Sequence, residues 1–299
     1  MNNYMNDNKK RPVSASAVTR IVIWSVVLCI LVGLFALGMI FGSKGTFARI
    51  NLGGYRYDDS GFSVGNGTSN EQITDISVDW IAGSVTVVAA EGDEISVSED
   101  YRGEDQNLAL RWKITDGRLT VKYRAPAWLA NPSVDKNLTI AIPASMMGSL
   151  GDVEIDGVDC DVDFNGNADE LSLDVVDGDL TVRGDIGELD VDAVDGNVIF
   201  RGGVRKADVD CVDATVVMYL DMAAELNFDQ VDGDVTLYLS DGISGFSAEI
   251  DSVGGGIEIE GFDSVTTQGR KSARWGDGSL RICVDGVGAQ LKIEKETDG

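Results

Sequence analysis

The sequence contains no histidine among its 299 residues. Histidine is the usual general base, the commonest metal ligand and the central member of Ser-His-Asp and Cys-His catalytic arrangements. No glycine-rich phosphate loop precedes a helical pattern either. These absences argue against nucleophilic catalysis, and we predict that the protein is not an enzyme and needs no cofactor.

Proline and basic residues are also scarce. The chain has four Pro against 36 Gly, and 24 Lys and Arg against 50 Asp and Glu, for a formal net charge of −26. Few prolines with many glycines are typical of a turn-rich all-β protein. A strongly negative chain repels nucleic acid and anionic lipid, so we expect neither as a partner of the globular part.

One short phrase recurs between residues 153 and 259, in the forms DGVDC, DVVDG, DAVDG, DCVDA, DQVDG and DSVGG. About 18 residues that hold two short strands are too few for a helical crossover. We therefore predict an all-β, β-helix-like solenoid with coils of about 18 residues. A run of antiparallel hairpins, which would also contain Asp-Gly turns, is the alternative. Successive copies are 18, 18, 18, 19 and 22 residues apart, and their first aspartates are Asp156, Asp174, Asp192, Asp210, Asp229 and Asp251.

Apolar positions alternate on both sides of this aspartate, as they do in strands. In a solenoid each apolar column becomes a ladder in the interior, so we also expect the valine two residues after each aspartate to lie there. These valines are Val158, Val176, Val194, Val212, Val231 and Val253. Cys160 and Cys211 fall in different columns several coils apart, which predicts free thiols and no disulfide between them.

A divergent copy of the repeat at residues 76–87 begins the globular part and adds Asp79 to the aspartate column. Strand-like segments follow over about residues 91–148, with a hairpin predicted at Asp116-Gly117. Residues 262–293 repeat the pattern loosely. We expect them to cap the stack, because an open end would expose unpaired strand edges.

Residues 21–43 carry no charged side chain. A helix of this length can cross a bilayer core of roughly 30 Å. Basic residues before it outnumber those after it, which places the N-terminus in the cytoplasm. We predict a cytoplasmic tail (1–20), a transmembrane helix (21–43), a flexible stalk (44–72) and an extracytoplasmic solenoid domain (73–299), and hence a single-pass protein of the cell membrane.

Two aspartate columns are the candidate binding residues. Like charges about 5 Å apart repel by about 0.8 kcal/mol per pair even in water. One interpretation is that each carboxylate accepts hydrogen bonds from backbone amides at its corner. The other is a ladder of divalent cations, with Ca²⁺ as the candidate, although the GGxGxD loops of calcium-binding rolls are lacking. The candidate ligands are Asp156, Asp159, Asp174, Asp177, Asp192, Asp195, Asp210, Asp213, Asp229 and Asp232.

Residues 73–293 contain ISVDWIAGSVTV, NLTIAIP, serial VDG-type coils and GDGSLRI. In these motifs the chain resembles the bacterial putative-adhesin β-solenoid domains of the head-GIN type. The resemblance implies a non-enzymatic protein of the cell envelope, and it transfers no functional residue.

From these observations we predict an adhesin-like surface module that binds a protein, glycan or cationic peptide through its acidic face. One alternative is a structural solenoid that self-associates into polymers. Another is a carbohydrate-active β-helix enzyme with paired carboxylates. The enzyme is disfavoured because the aspartate columns repeat evenly, whereas an active site would break the pattern at one place.

Overall fold

The computed structural model describes residues 60–101, 105–124, 135–231 and 233–296, and these form an all-β protein, which confirms the predicted class. The one helix among them is α1 (Ala144–Met147). The strands are β1 (Ser63–Val64), β2 (Gly67–Ser69), β3 (Asp75–Ala90), β4 (Ile95–Glu99), β5 (Arg111–Thr115), β6 (Arg118–Lys122), β7 (Lys136–Pro143), β8 (Leu150–Asn165), β9 (Ala168–Asp177), β10 (Leu180–Arg183), β11 (Ile186–Val231), β12 (Asp234–Leu239), β13 (Gly245–Val253), β14 (Gly256–Glu260), β15 (Thr266–Gln268), β16 (Ser272–Gly276), β17 (Leu280–Val287) and β18 (Gln290–Lys295).

Strands of successive repeats pair in parallel, and each residue lies opposite its counterpart 18 positions later. Leu171 of β9, for example, lies between Val153 of β8 and Leu189 of β11. The second half of the repeat, represented by β10, pairs in the same way with β8 and β11. This pairing excludes the hairpin alternative for these repeats. The solenoid architecture itself stays a prediction.

The alternating apolar residues of these strands form one continuous core. Equivalent residues of neighbouring repeats lie side by side, so each repeat contributes the same few side chains to the core. Removal of this apolar surface from water is the main driving force for folding. One column, at most 1% exposed at every position, consists of Phe164, Val182, Phe200, Met218 and Leu237.

The prediction of an interior valine column is wrong at the three valines whose side chains the structure describes. Val158, Val176 and Val212 are 50, 46 and 52% exposed. The residue before each valine is the buried one, as Val175 and Cys211 show. The chain turns a corner here, so a valine and the aspartate that follows it both face solvent, and the strict alternation of a strand is broken.

The last strands of the chain lie within the stack, which corrects the prediction that residues 262–293 cap it. Strand β17 pairs in parallel with β11 on one side and β13 on the other. Strand β18 likewise lies between β12 and β14. Of the expected cap, β15 and β16 pair in antiparallel fashion beside β13. The widest repeat spacing, between Asp229 and Asp251, falls where β17 is inserted.

The N-terminal copy of the repeat joins the stack as predicted, with Asp79 of β3 opposite Asp156 of β8. The hairpin at Asp116-Gly117 is confirmed, because these residues have φ of 51° and 81° and connect the antiparallel strands β5 and β6. Strands β1 and β2 lie within the predicted stalk and pair with β5 and β4.

A buried ion pair holds this end of the sheet. The Nζ atom of Lys136 lies 3.4 Å from the carboxylate of Glu99 and donates a 3.0 Å hydrogen bond to the carbonyl of Arg124. Glu99 also accepts a hydrogen bond from the amide of Leu110. Burial lowers the pKa of Lys136, and Glu99 opposes that shift.

The predicted single-pass membrane localisation is corrected. In the described ranges no helix is long and apolar enough to cross a membrane. The predicted tail (1–20), the predicted span (21–43) and residues 44–59 of the predicted stalk lie outside the described residues.

Close stacking of the coils gives a first prediction at Gly196. Its φ is +133°, and a Cβ atom there would lie 2.1 Å from the carbonyl oxygen of Gly178 in the preceding coil. Gly196→Ala would push the coils apart, and we expect the free energy of unfolding to fall by about 3 kcal/mol. Urea denaturation of the full-length chain measures this change.

Gly254→Ala is the matched control. Gly254 also has a positive φ, +94°, but a Cβ atom there would meet no heavy atom within 4 Å. The control should therefore lose only the cost of the backbone conformation, about 1 kcal/mol. Equal losses in the two variants would contradict the close-stacking argument.

Candidate functional site

The first aspartate column lies on the outer face of the parallel strands. Asp174 lies opposite Asp156 on one side and Asp192 on the other. Asp285, which the sequence interpretation missed, stands between Asp229 and Asp251. Its signal was present, because Asp285-Gly286-Val287 repeats the start of the recurring phrase, as in Asp156-Gly157-Val158. We define the first aspartate column as Asp79, Asp156, Asp174, Asp192, Asp210, Asp229, Asp285 and Asp251.

The second aspartate column follows three residues further along each repeat. Asp177 lies opposite Asp159 and Asp195, and all three are exposed. The side chain of Asp213 and the whole of Asp232 lie outside what the structure describes. The candidate aspartates whose side chains the structure describes therefore stand in two rows. Each row has one carboxylate per repeat.

Burial and crowding within the first column raise the pKa of two of its carboxyl groups. Burial, followed by the charges of Asp229 and Asp251, raises the pKa of Asp285. Burial also raises the pKa of Asp156, with further contributions from Glu154 and from its column neighbours. Each of these carboxyl groups therefore holds its proton more strongly in the folded chain than in the unfolded one.

The hydrogen bonds expected of the candidate aspartates are made by a different set of residues. The amide of Asp179 donates to Asp161 Oδ1 at 2.9 Å, and the amide of Asn197 donates to Asp179 Oδ1 at 3.0 Å. At the other corner, the amide of Gly203 donates to Asp185 Oδ1 at 3.0 Å. Each bond joins one coil to the next, 18 residues later. An Asp or Asn recurring at this spacing, as at residues 161, 179 and 197, is the sequence signal that could have identified them.

Basic side chains lie along one margin of the acidic face. Arg281 pairs with Glu225 at 3.0 Å, and Arg205 with Glu188 at 3.5 Å. Both glutamates precede a first-column aspartate by four residues. These pairs are exposed, so each contributes little to stability, but together they limit the acidic face on that side.

The inserted strand β17 helps to form a hollow of about 320 Å³ in the acidic face. Burial, followed by the charge of Glu249, raises the pKa of the Cys283 thiol there, which makes it a poor nucleophile. Among the described residues, no three Asp, Glu or Cys side chains are grouped so that they could hold a metal ion. The hollow is lined by Asp208, Asn227, Asp229, Glu249, Asp251, Cys283, Val284 and Asp285.

The two thiols in the core are free. Burial raises the pKa of Cys160 and of Cys211 to about 12, with the neighbouring aspartates adding to the shift. A thiol that stays protonated and buried is chemically inert. Both cysteines therefore serve as small apolar residues of the repeat.

Comparisons with known proteins find no matching protein-family model and no matching curated protein. Solved structures similar to this chain include a putative adhesin from Parabacteroides merdae, with 11% identity over 79% of this chain and 96% of that chain and a TM-score of 0.41. A putative cell adhesion protein from Clostridium sporogenes has 10% identity over 78% of this chain and 100% of that chain, with a TM-score of 0.29.

A putative lipid binding protein from Parabacteroides distasonis is also similar, with 12% identity over 78% of this chain and 97% of that chain and a TM-score of 0.26. Structures named as adhesins are thus among the neighbours of this chain. All these TM-scores lie below 0.5, so the likenesses carry no conclusion about its function.

The raised pKa values give a second prediction, at Asp285. Because the folded state binds this proton more tightly, the resulting stabilisation is complete below the ordinary pKa of 3.8 and is lost as the pH rises through the raised value. Asp285→Asn removes the charge that causes the loss. We expect it to raise the Tm of the full-length chain by about 2 °C at pH 7 and to have no effect below pH 3.8.

Asp221→Asn is the control, since Asp221 is exposed and lies outside both columns. It should change Tm little at either pH. A lower Tm of Asp285→Asn at pH 7 would mean that the carboxylate is held by a favourable partner, contrary to the crowding described above.

The calcium hypothesis gives a third prediction. Each column supplies one carboxylate per coil, so we expect millimolar Ca²⁺ to change the Tm of the full-length chain no more than a sodium salt of the same ionic strength does, through screening alone. Thermal unfolding with Ca²⁺ and with excess chelator measures this. A calcium-specific rise of several degrees would instead identify the aspartates as ion sites that stabilise the fold by mass action.

Proposed function

We propose that this protein is a non-enzymatic binding module, a β-solenoid that presents an acidic outer face to a cationic partner. The observation that carries the proposal is the register of the first aspartate column, in which carboxylates of successive coils stand side by side. Such a row opposes folding through charge repulsion. When a positively charged partner binds, it would be attracted by the same carboxylates, and the row would then stabilise the complex.

The solenoid part of the proposal is supported by the parallel pairing at an offset of 18 residues. It is also supported by side chains that bond from one coil to the next, such as Asp161 with the amide of Asp179. In a solenoid each coil contacts chiefly its neighbours, and the outer columns form long, regular surfaces suited to binding.

The chemistry of the face defines the partner. A surface rich in carboxylates attracts cationic regions of proteins, cationic peptides and amino-bearing glycans, and speeds their association at low salt. The formal net charge of −26 acts in the same direction over longer distances. An adhesin-like or envelope-interaction role fits such a module.

The two alternatives have less support. A carbohydrate-active enzyme would need a pair of carboxylates set apart by their surroundings, whereas the columns are even. Polymer formation would use open strand edges. In the described part of the chain, β16 pairs with β13 near one end of the stack, and β6 and β7 pair with β3 near the other.

The fourth prediction tests the binding face with poly-lysine as the probe. In the double variant Asp156→Asn/Asp174→Asn, we expect the full-length chain to bind poly-lysine about fivefold more weakly and with a shallower dependence on salt. Isothermal titration at several salt concentrations measures both quantities.

The double variant Asp169→Asn/Asp221→Asn is the control, because it removes the same charge from exposed positions outside both columns. An equal loss in the two double variants would show that net charge, and not the aspartate column, binds the probe. Failure of the unmodified chain to bind poly-lysine at low salt would overturn the proposed function.

A further inference from the structure

An exposed row of valines runs between the two aspartate columns. We define the valine column as Val158, Val176, Val194 and Val212, which follow one another at 18-residue intervals. Three of its members are 46 to 52% exposed, and the side chain of Val194 is not described. The row is regular up to Val212, whereas near Val231 the register with β17 shifts.

The uniform choice of valine has no explanation within the fold. The side chains of Val158, Val176 and Val212 lie outside the core, and a β-branched residue at an exposed strand position supports the strand through its shape. Threonine has the same shape and would keep a hydroxyl in water. Other outward-facing columns of the same sheet do vary, as Thr181, Ile199 and Val217 show. The repeated use of valine in place of threonine points to an apolar contact with another molecule.

Carboxylates border this apolar row on both sides. Asp174, of the first aspartate column, precedes Val176 by two residues, and Asp177, of the second, follows it directly. All three residues are exposed. A complementary partner therefore has a narrow apolar stripe with cationic groups on either side of it. An anionic bilayer is excluded as that partner by the same carboxylates.

Spacing along the row indicates the secondary structure of the partner. Neighbouring coils of a parallel stack are roughly 4.8 Å apart. Side chains on one face of an extended peptide recur about every 6.6 to 6.8 Å. They would therefore lose alignment with the valines after one or two coils. Successive turns of an α-helix repeat about every 5.4 Å, so a helix can place one apolar side chain against each valine over several coils.

We infer that the valine column and its two aspartate borders form a docking line for a cationic amphipathic α-helix lying along the axis of the stack. The helix would place its apolar stripe on the valines and direct Lys or Arg side chains to the carboxylates on both sides. This inference rests on the proposed function and adds the location of the contact and the chemistry of the partner.

The fifth prediction uses two synthetic peptides of the same Leu, Lys and Ala composition. In one, the leucines recur three and four residues apart to form a single stripe; in the other, the order is scrambled. We expect the full-length chain to bind the amphipathic peptide more tightly, as measured by fluorescence anisotropy. Val158→Thr/Val176→Thr should weaken that binding about fivefold and leave binding of the scrambled peptide unchanged.

Val64→Thr is the matched control, because Val64 is also 50% exposed but lies on β1, away from the valine column. It should bind both peptides as the unmodified chain does. Circular dichroism verifies folding of each variant. If the double variant does not fold, the single variant Val176→Thr carries the same test with a smaller expected loss.

Two results would overturn the inference, and they differ in what they leave standing. Equal binding of the two peptides, unchanged in the valine variants, would remove the valine column from the interface and leave the proposed acidic binding module intact. Absence of binding by either cationic peptide at low salt would overturn both the docking line and the proposed function.

Discussion

Parallel, in-register pairing at an offset of about 18 residues is the constraint on which the rest of the structure depends. It brings every residue beside its own counterpart in the next repeat, so like side chains accumulate in columns. For apolar residues this is favourable, as the buried column from Phe164 to Leu237 shows. For aspartates it is unfavourable, because the backbone register that fills the core also brings Asp156 beside Asp174. The core and the acidic face therefore have one cause.

The fold compensates carboxylates that lie outside the first aspartate column. Asp161 and Asp179 accept amide hydrogen bonds from the following coil, which converts a row of carboxylates into links between coils. Arg205 and Arg281 pair with glutamates at the margin. The first aspartate column retains raised pKa values at Asp156 and Asp285 even so. Burial is the larger cause of both shifts and the neighbouring carboxylates add to it, so part of each shift reflects repulsion from nearby carboxylates.

Much of the fold could be predicted from the period of the repeat and the alternation of apolar residues, since these determine register directly. The exposure of Val176 could not, because it depends on corner geometry that allows two consecutive residues to face solvent. The motif at Asp285 is visible in the sequence, but its place between Asp229 and Asp251 could not be predicted, because β17 pairs with two strands that precede it in sequence. Asp161 was missed although an Asp or Asn recurs at residues 161, 179 and 197, because its partner is a backbone amide and the recurrence alone does not show that partner.

Columns on the outer face differ from those in the core in how freely they can vary. An interior position is restricted by volume and by burial, so its uniformity reports on packing alone. An outer position needs only to tolerate an extended backbone, and outer columns here mix residue types, as Asp163, Thr181 and Ile199 show. From Val158 to Val212 the valine column and its two aspartate borders do not mix, although the valines are apolar in water and the aspartates repel one another. This uniformity, which the fold itself does not favour, is the physical reason for proposing a recognition surface here.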